Sequence, residues 1–445
     1  MKKKFLDRLK KLQGRDSEVV ENSTIEESHQ PEVAASDSIV EEEEEDVSSG
    51  MSPEGPVISI FFNVHQPNFL KRYSFFDIGQ EPFYEDDELN RQKLDEASKL
   101  SYLPANELLT ELIESSGKRF RISLSLSGTL IEQLEKHRPD VLESFQKLHA
   151  TGGVEIVCGT YYHSMGFHRS KEEFAEQVSL QREKVKEVFG VEPKVYRHNA
   201  CIYFNELAAY VESLGFTSML AEPVDGSLHG REANRLYRSP GVKEMKVHLR
   251  NGSLSDDLGV RFSHQDWDQF PLTSEKFASW CHESGGQLVN LFMNYECLGL
   301  HQRAESGIFE FWKAFPKAWE ECGGRFLTIS ETAETFEISG EYDCHLPTSW
   351  ADEEKDLSPW KGNVMQEEAR RKILAMEEEV KTKKDPELLH QWRKMQTADH
   401  FYYMSTKTGA DGEELHAARR PYPSAYDAYL YFMNALTDLQ LRVRQ

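Results

Sequence analysis

The chain has 445 residues, enough for one large domain with an appendage or for two domains, and its aromatic content supplies a sizeable core. The formal charge of -24 excludes nucleic acid or an anionic membrane as the main partner, because neither attracts a strongly acidic surface, and leaves neutral or polyhydroxylated ligands open. Six scattered cysteines (158, 201, 281, 297, 322, 344) form no CxxC pair, so they read as reduced, mostly buried thiols and imply a cytoplasmic protein.

The start, MKKKFLDRLKKL, is basic and amphipathic without the apolar stretch of a secretory signal, and no segment is long and apolar enough to span a bilayer. Integral membrane association is not expected. From Asp16 to Glu54 there is no Lys or Arg at all, and acidic residues, Ser, Pro and Gly prevail. Such a segment cannot bury enough apolar surface to offset its ordering entropy, so residues 1–55 are expected to be a disordered acidic tail.

From Pro56 onward, apolar runs rich in β-branched and aromatic residues recur at 57–64, 120–127, 153–159, 194–199, 217–222, 287–294 and 325–330. Between them lie amphipathic stretches such as Ser170 to Phe189, where Phe174, Val178, Val185 and Val188 follow a helical period. This alternation predicts an α/β fold with a parallel sheet closed into a barrel over residues 56–343. An open doubly wound sheet is the competitor, but no GxGxxG or P-loop follows any strand. After Asp343, long helices are expected at 365–404 and 424–443, in a C-terminal helical subdomain over 344–445.

In a parallel barrel the residues just after each strand share one mouth. That rule selects His65 and Gln66, Glu155, His163, His198, Glu222, Asn294, Glu296 and His301. Beyond the barrel, Trp350, Asp352 and Trp360 are too polar and aromatic together for a plain linker; each Trp is a candidate platform for a sugar ring or an interdomain packing residue. Any single His or Glu is more often a satisfied structural group. Their repeated position after strands is what favours chemistry.

The segments NVHQP, GGVEIVCGTYYHS, VYRHNACIYFNE, NLFMNYECLGLHQ and SWADEEKDLSPWKGN, in that order, resemble the motif series of glycoside hydrolase family 57 in its α-amylase-like branch. The resemblance implies an incomplete (β/α)7 barrel of TIM-like type, followed by helices, acting on α-glucans such as starch or glycogen with retention. Retention needs two carboxyl groups about 5–5.5 Å apart. The position matching the family's nucleophile Glu is Ala200, and the position matching its acid/base Asp is Asn294. Cys297, Leu298 and Leu300 also stand where the family usually has Thr, Phe and Glu.

The resemblance therefore implies an α-glucan-binding protein with hydrolysis lost or strongly impaired, without cofactor or metal, and compatible with a glucan-metabolism enzyme as partner. His65, Gln66, Glu155, His163, His198, Glu296, His301, Trp350, Asp352 and Trp360 are the sugar-binding candidates. An active hydrolase or transferase recruiting Asp256, Asp257, Glu222 or Glu296 is the alternative. A metal-dependent polysaccharide deacetylase, suggested by His163 and His168, is a further one, but it wants a carboxylate after the first strand, where IFFNVHQPN has none.

Overall fold

The first apolar run becomes a strand, β1 (Val57–Val64), in which every residue is buried. Its two faces explain the need for that burial. Phe61 points into the barrel against Phe292, ring centroids 5.8 Å apart, while Phe62 points outward against Trp312 at 5.7 Å. A strand covered on both sides reads as a continuous apolar run, the mark of a parallel sheet inside a layer of helices. The computed structural model describes residues 55–168, 170–409 and 414–445. The expectations for the basic start and the acidic tail, residues 1–54, fall outside them.

Parallel strands β2 (Ile122–Leu126) and β3 (Val154–Ile156) follow on one side of β1. Cys158 then bridges to β4 (Val195–Tyr196), which pairs with β5 (Ser218–Ala221). A short antiparallel strand, β6 (Leu236–Arg238), flanks β7 (Lys246–Leu249), which pairs parallel with β5. β8 (Leu288–Asn294) lies parallel along β1 from Val57 to Asn63. Among the described residues, isolated contacts such as the Asn251 N–H to the Asn290 carbonyl, 2.8 Å, carry β7 across to β8. The parallel strands β1–β5, β7 and β8 thus make a seven-stranded, incompletely closed barrel filled by Phe61, Val157, Val195, Leu220, Phe292 and Ile329.

Two elements differ from expectation. β7 was not anticipated, because its run KVHL is short and carries Lys246 and His248; β-pairing on both edges makes the strand, not its own hydrophobicity. The run 325–330 yields only the two-residue strand Arg325–Phe326 on the start of β1, after which Thr328 caps the helix Ile329–Thr335. The helix expected from Ser170 is present as Lys171–Phe189, capped by the Ser170 hydroxyl and closed by Gly190 at φ 71°.

The C-terminal region is helical but more broken than the pattern suggests. Val364–Leu374, Glu377–Lys383, Pro386–Lys394 and Ala398–Tyr402 replace one long helix, and Asp385-Pro386 after left-handed Lys384 forces a restart. The last helix, Ala425–Arg444, is continuous. These helices bury Trp360, Trp392 and Phe432 in the same cluster as Tyr196, Phe174 and Met219 of the barrel side. A buried ion pair ties them: Arg393 donates to both oxygens of Glu173, at 2.8 and 3.0 Å. This docking brings Thr397 into a bridge with Ser164 and sets Asp399 over the barrel mouth.

Candidate functional site

The ends of β1, β2, β4 and β8 converge on one buried guanidinium. Arg197, 2 % exposed, donates to Asn63 Oδ1, to Ser125 Oγ at 3.1 Å, to the His198 carbonyl at 3.3 Å and, at 3.5 Å, toward His163 Nε2. Asn63 in turn donates through Nδ2 to Asn294 Oδ1, 3.1 Å. Among the described residues no carboxylate forms an ion pair with Arg197, and burial pulls its pKa below the ordinary value. A cation held only by neutral amides and hydroxyls retains most of its desolvation cost.

Position 200 lies on the turn after β4. Ala200 (φ 47°, ψ 34°) and Cys201 (φ 50°) are both left-handed without being glycine, a strain of order 1 kcal/mol or more each. The turn is overdetermined: the Trp350 N–H donates to the Ala200 carbonyl at 2.9 Å, and Cys201 and Ile202 donate back to His198 and Asn199. The strained loop thus carries a methyl group, partly buried against the cluster that holds Tyr196, Phe204 and Trp360.

Asp399 faces two histidines. One of its oxygens, Oδ2, lies 3.1 Å from His65 Nε2 and 3.1 Å from His163 Nδ1, and the two rings stack with centroids 3.7 Å apart. Burial raises the carboxyl's pKa, but the His65 charge and the hydrogen bonds from both rings outweigh it and hold Asp399 well below the usual range. Burial, together with the neighbouring His65, pushes His163 down to about 3. Beside them, Glu296 accepts from the Tyr102 hydroxyl at 2.8 Å and from the His65 backbone N–H, and burial pushes its pKa up to about 7. Asp399 escaped the sequence reading because it follows no barrel strand; the one available signal was an acidic residue inside the otherwise apolar DHFYYM.

Other expected residues are engaged elsewhere. Glu222, 1 % exposed, pairs with Lys355 at 2.6 Å and Arg250 at 3.3 Å, Asp256 pairs with Arg250, and Asp257 with Arg261 at 2.7 Å. Glu155 accepts from Ser123 and from the Ser330 N–H at 3.0 and 3.2 Å, so its charge serves the start of helix Ile329–Thr335. Gln66 is buried against Gln133 and the Asn90 carbonyl.

The ring of His198 is fully buried with Tyr196. Trp360, 4 % exposed, packs on Tyr402 and offers no open face. Trp350 is half-buried over the barrel interior, with Arg250 5.3 Å from its ring centroid. Asp352 is held by Lys407 at 2.6 Å, and His301 is exposed at the rim. The side chain of His168 lies outside the described set. Six cysteines are free, five of them buried.

The order of these strand ends and of the helices behind them has counterparts of known kind. The model of Glycosyl hydrolase family 57 matches residues 59–345. A provisionally assigned alpha-amylase of Methanocaldococcus jannaschii is 34 % identical over 406 residues, 87 % of this chain and 85 % of that protein. The chain belongs to glycosyl hydrolase family 57. Among solved structures, a GH57-type branching enzyme from Pyrococcus horikoshii superposes with a TM-score of 0.61 at 15 % identity, over 85 % of this chain and 88 % of that one. The alpha-amylase AmyC from Thermotoga maritima gives 0.56 at 14 % identity, over 88 % and 94 %. These two likenesses establish the (β/α)7 architecture of the family 57 chain. Among the described residues no helix is long and apolar enough to cross a membrane.

Proposed function

We propose that this family 57 protein binds α-glucan, glycogen or starch in type, with glucan hydrolysis lost or strongly impaired, and serves polysaccharide metabolism in the cytoplasm as a binding or scaffolding component. The observation that carries the reading is the pair Ala200 and Asn294 at the positions where the family resemblance expects nucleophile and acid/base, with Asn294 tied through Asn63 to Arg197. A methyl group cannot attack an anomeric carbon, and an amide cannot supply a proton at neutral pH. Sugar affinity is a separate free energy and survives such losses. His65, His163, Glu296, His301 and the half-buried Trp350 remain around the mouth to supply it.

The alternative is a hydrolase or transferase with substitute carboxylates. Glu222, Asp256 and Asp257 each sit in an ion pair with an arginine, which speaks against them. Glu296 is the better substitute: among the described residues it forms no ion pair, it accepts from Tyr102 beside His65, and its pKa raised by burial suits a general acid. Glucan binding and reducing-sugar release, measured on one preparation, decide between the readings. Binding with negligible release is the expected result. Turnover above about 1 s⁻¹, ordinary for enzymes, abolished by Glu296→Gln, transfers the proposal to the alternative; absence of any glucan affinity removes both.

A further inference from the structure

The geometry points to a divalent-cation site, suited to zinc, formed by His65 Nε2, His163 Nδ1 and a carboxylate oxygen of Asp399 over the barrel mouth. These donor atoms all lie within 4.8 Å of one another, and among the described residues no other group of three His, Cys, Asp or Glu side chains has that spacing. Two nitrogens and one oxygen make a donor set typical of Zn²⁺, whose fourth position a water would take, and a poor one for Mg²⁺ or Ca²⁺, which want oxygen alone. The side chain of Asp399 is 24 % exposed, so the approach is from outside.

Each ligand is held by its own element. His65 follows β1 directly, and its other ring nitrogen, Nδ1, is 2.7 Å from Ser127 Oγ. Without an ion, Nε2–H donates to Asp399; in the zinc-bound form the ring proton sits on Nδ1, toward that hydroxyl, and the Nε2 lone pair faces the ion, since such outer partners fix the tautomer of metal-bound histidines. His163 is held at φ 53°, a left-handed conformation rare outside glycine, because its carbonyl accepts from the Ala398 N–H at 3.0 Å and from Asn199. Ala398 precedes Asp399, so this contact locks the third ligand to the second.

Ligand atoms around a tetrahedral ion with bonds of about 2.0–2.2 Å stand about 3.3–3.6 Å apart. The two 3.1 Å histidine–carboxylate spacings therefore open modestly on binding. Two contacts oppose the ion. The rings of His65 and His163 stack 3.7 Å apart at 27°, so one ring must turn for both nitrogens to point at one ion. His163 Nε2 carries the proton when Nδ1 is a ligand, and Arg197 then faces it donor to donor at 3.5 Å. Arg197 keeps its bonds to Asn63, Ser125 and the His198 carbonyl, so this contact is dispensable.

The test uses the full chain, stripped with a chelator and titrated with Zn²⁺ against a chromophoric competitor, with Mg²⁺ in parallel. One equivalent of zinc and no competing magnesium is expected. Asp399→Asn and His163→Gln each weaken zinc by at least about 10-fold, and Ser127→Ala, which leaves all three ligands, by about 10–100-fold. Absence of stoichiometric zinc overturns the proposal, as does undiminished zinc in both ligand variants. Should those variants fail to fold, Co²⁺ on the unaltered protein decides: d–d bands without thiolate charge transfer support the site, and a thiolate band moves the metal to cysteine and overturns it. Because zinc and glucan are measured separately, this proposal and the glucan reading fail independently.

Discussion

Two buried arginines, one at the end of β4 and one after β7, face the same barrel with opposite company. Arg250 donates through Nε to the Phe292 carbonyl at 2.9 Å and is neutralised by Glu222 and Asp256, with Lys355 completing the network. Arg197 has the same burial but meets amides, hydroxyls and a backbone carbonyl. The comparison separates a charge cluster that builds the fold from a cation left beside the positions where the family expects acids. A buried ion pair is costly to break, whereas Arg197, without a direct carboxylate partner, feels only the more distant charge of Asp399.

The contrast is broken most strongly on the paired side. Glu222→Gln leaves Arg250 and Lys355 short of a carboxylate in a buried place, and should lower unfolding stability by about 3–5 kcal/mol, read by denaturant titration. A loss below about 1 kcal/mol would mean that Asp256 alone suffices for Arg250.

Next is acid. His248, on β7 two residues before Arg250, is fully buried, and burial, with the nearby Lys246, pushes its pKa down to about 3 from 6.5. Its folded pKa is below the unfolded one, so its neutral form stabilises the protein above pH 6.5, and that contribution is lost as pH falls toward about 3. At about pH 5 the loss should be about 2 kcal/mol. His248→Gln should flatten the stability curve across this range, and an unchanged curve would contradict the assignment.

On the unpaired side the effects are comparable or smaller. Ala200→Glu places a long side chain on a left-handed residue and should cost about 1–3 kcal/mol. Joined with Asn294→Asp it should restore some retaining hydrolysis, and on an activated substrate, which needs no general acid, Ala200→Glu alone should suffice. A folded double variant inert even there would remove the positional assignment. Smallest of all, Asn294→Asp should change stability by less than about 1 kcal/mol, because the new carboxylate still accepts from Asn63 and gives Arg197 a compensating charge nearby. A clear loss would show that Arg197 needs no such partner.

Much of the fold was legible in local pattern. Strand β1, the helix Lys171–Phe189 with its Ser170 cap, and the mouth positions of His65, His163, Asn294 and Glu296 follow from residues that are neighbours along the chain. Local pattern has limits: KVHL is too short and polar to announce a barrel strand, and of the two alternatives open for Trp360 the structure shows packing, its ring lying on Tyr402.

By itself the sequence determined periodicity, motif order and the identity of the groups at 200 and 294, since backbone conformation responds to side chains within a few residues. Only the tertiary structure decided who pairs with whom. Asp399 reaches His65 across 334 residues. Glu222 and Asp256 are spent on Arg250, and Arg197 is left with neutral partners. Charge compensation in a buried site is settled by distances of a few ångströms between segments remote in the chain, because Coulomb and hydrogen-bond energies act through space and carry no local signature.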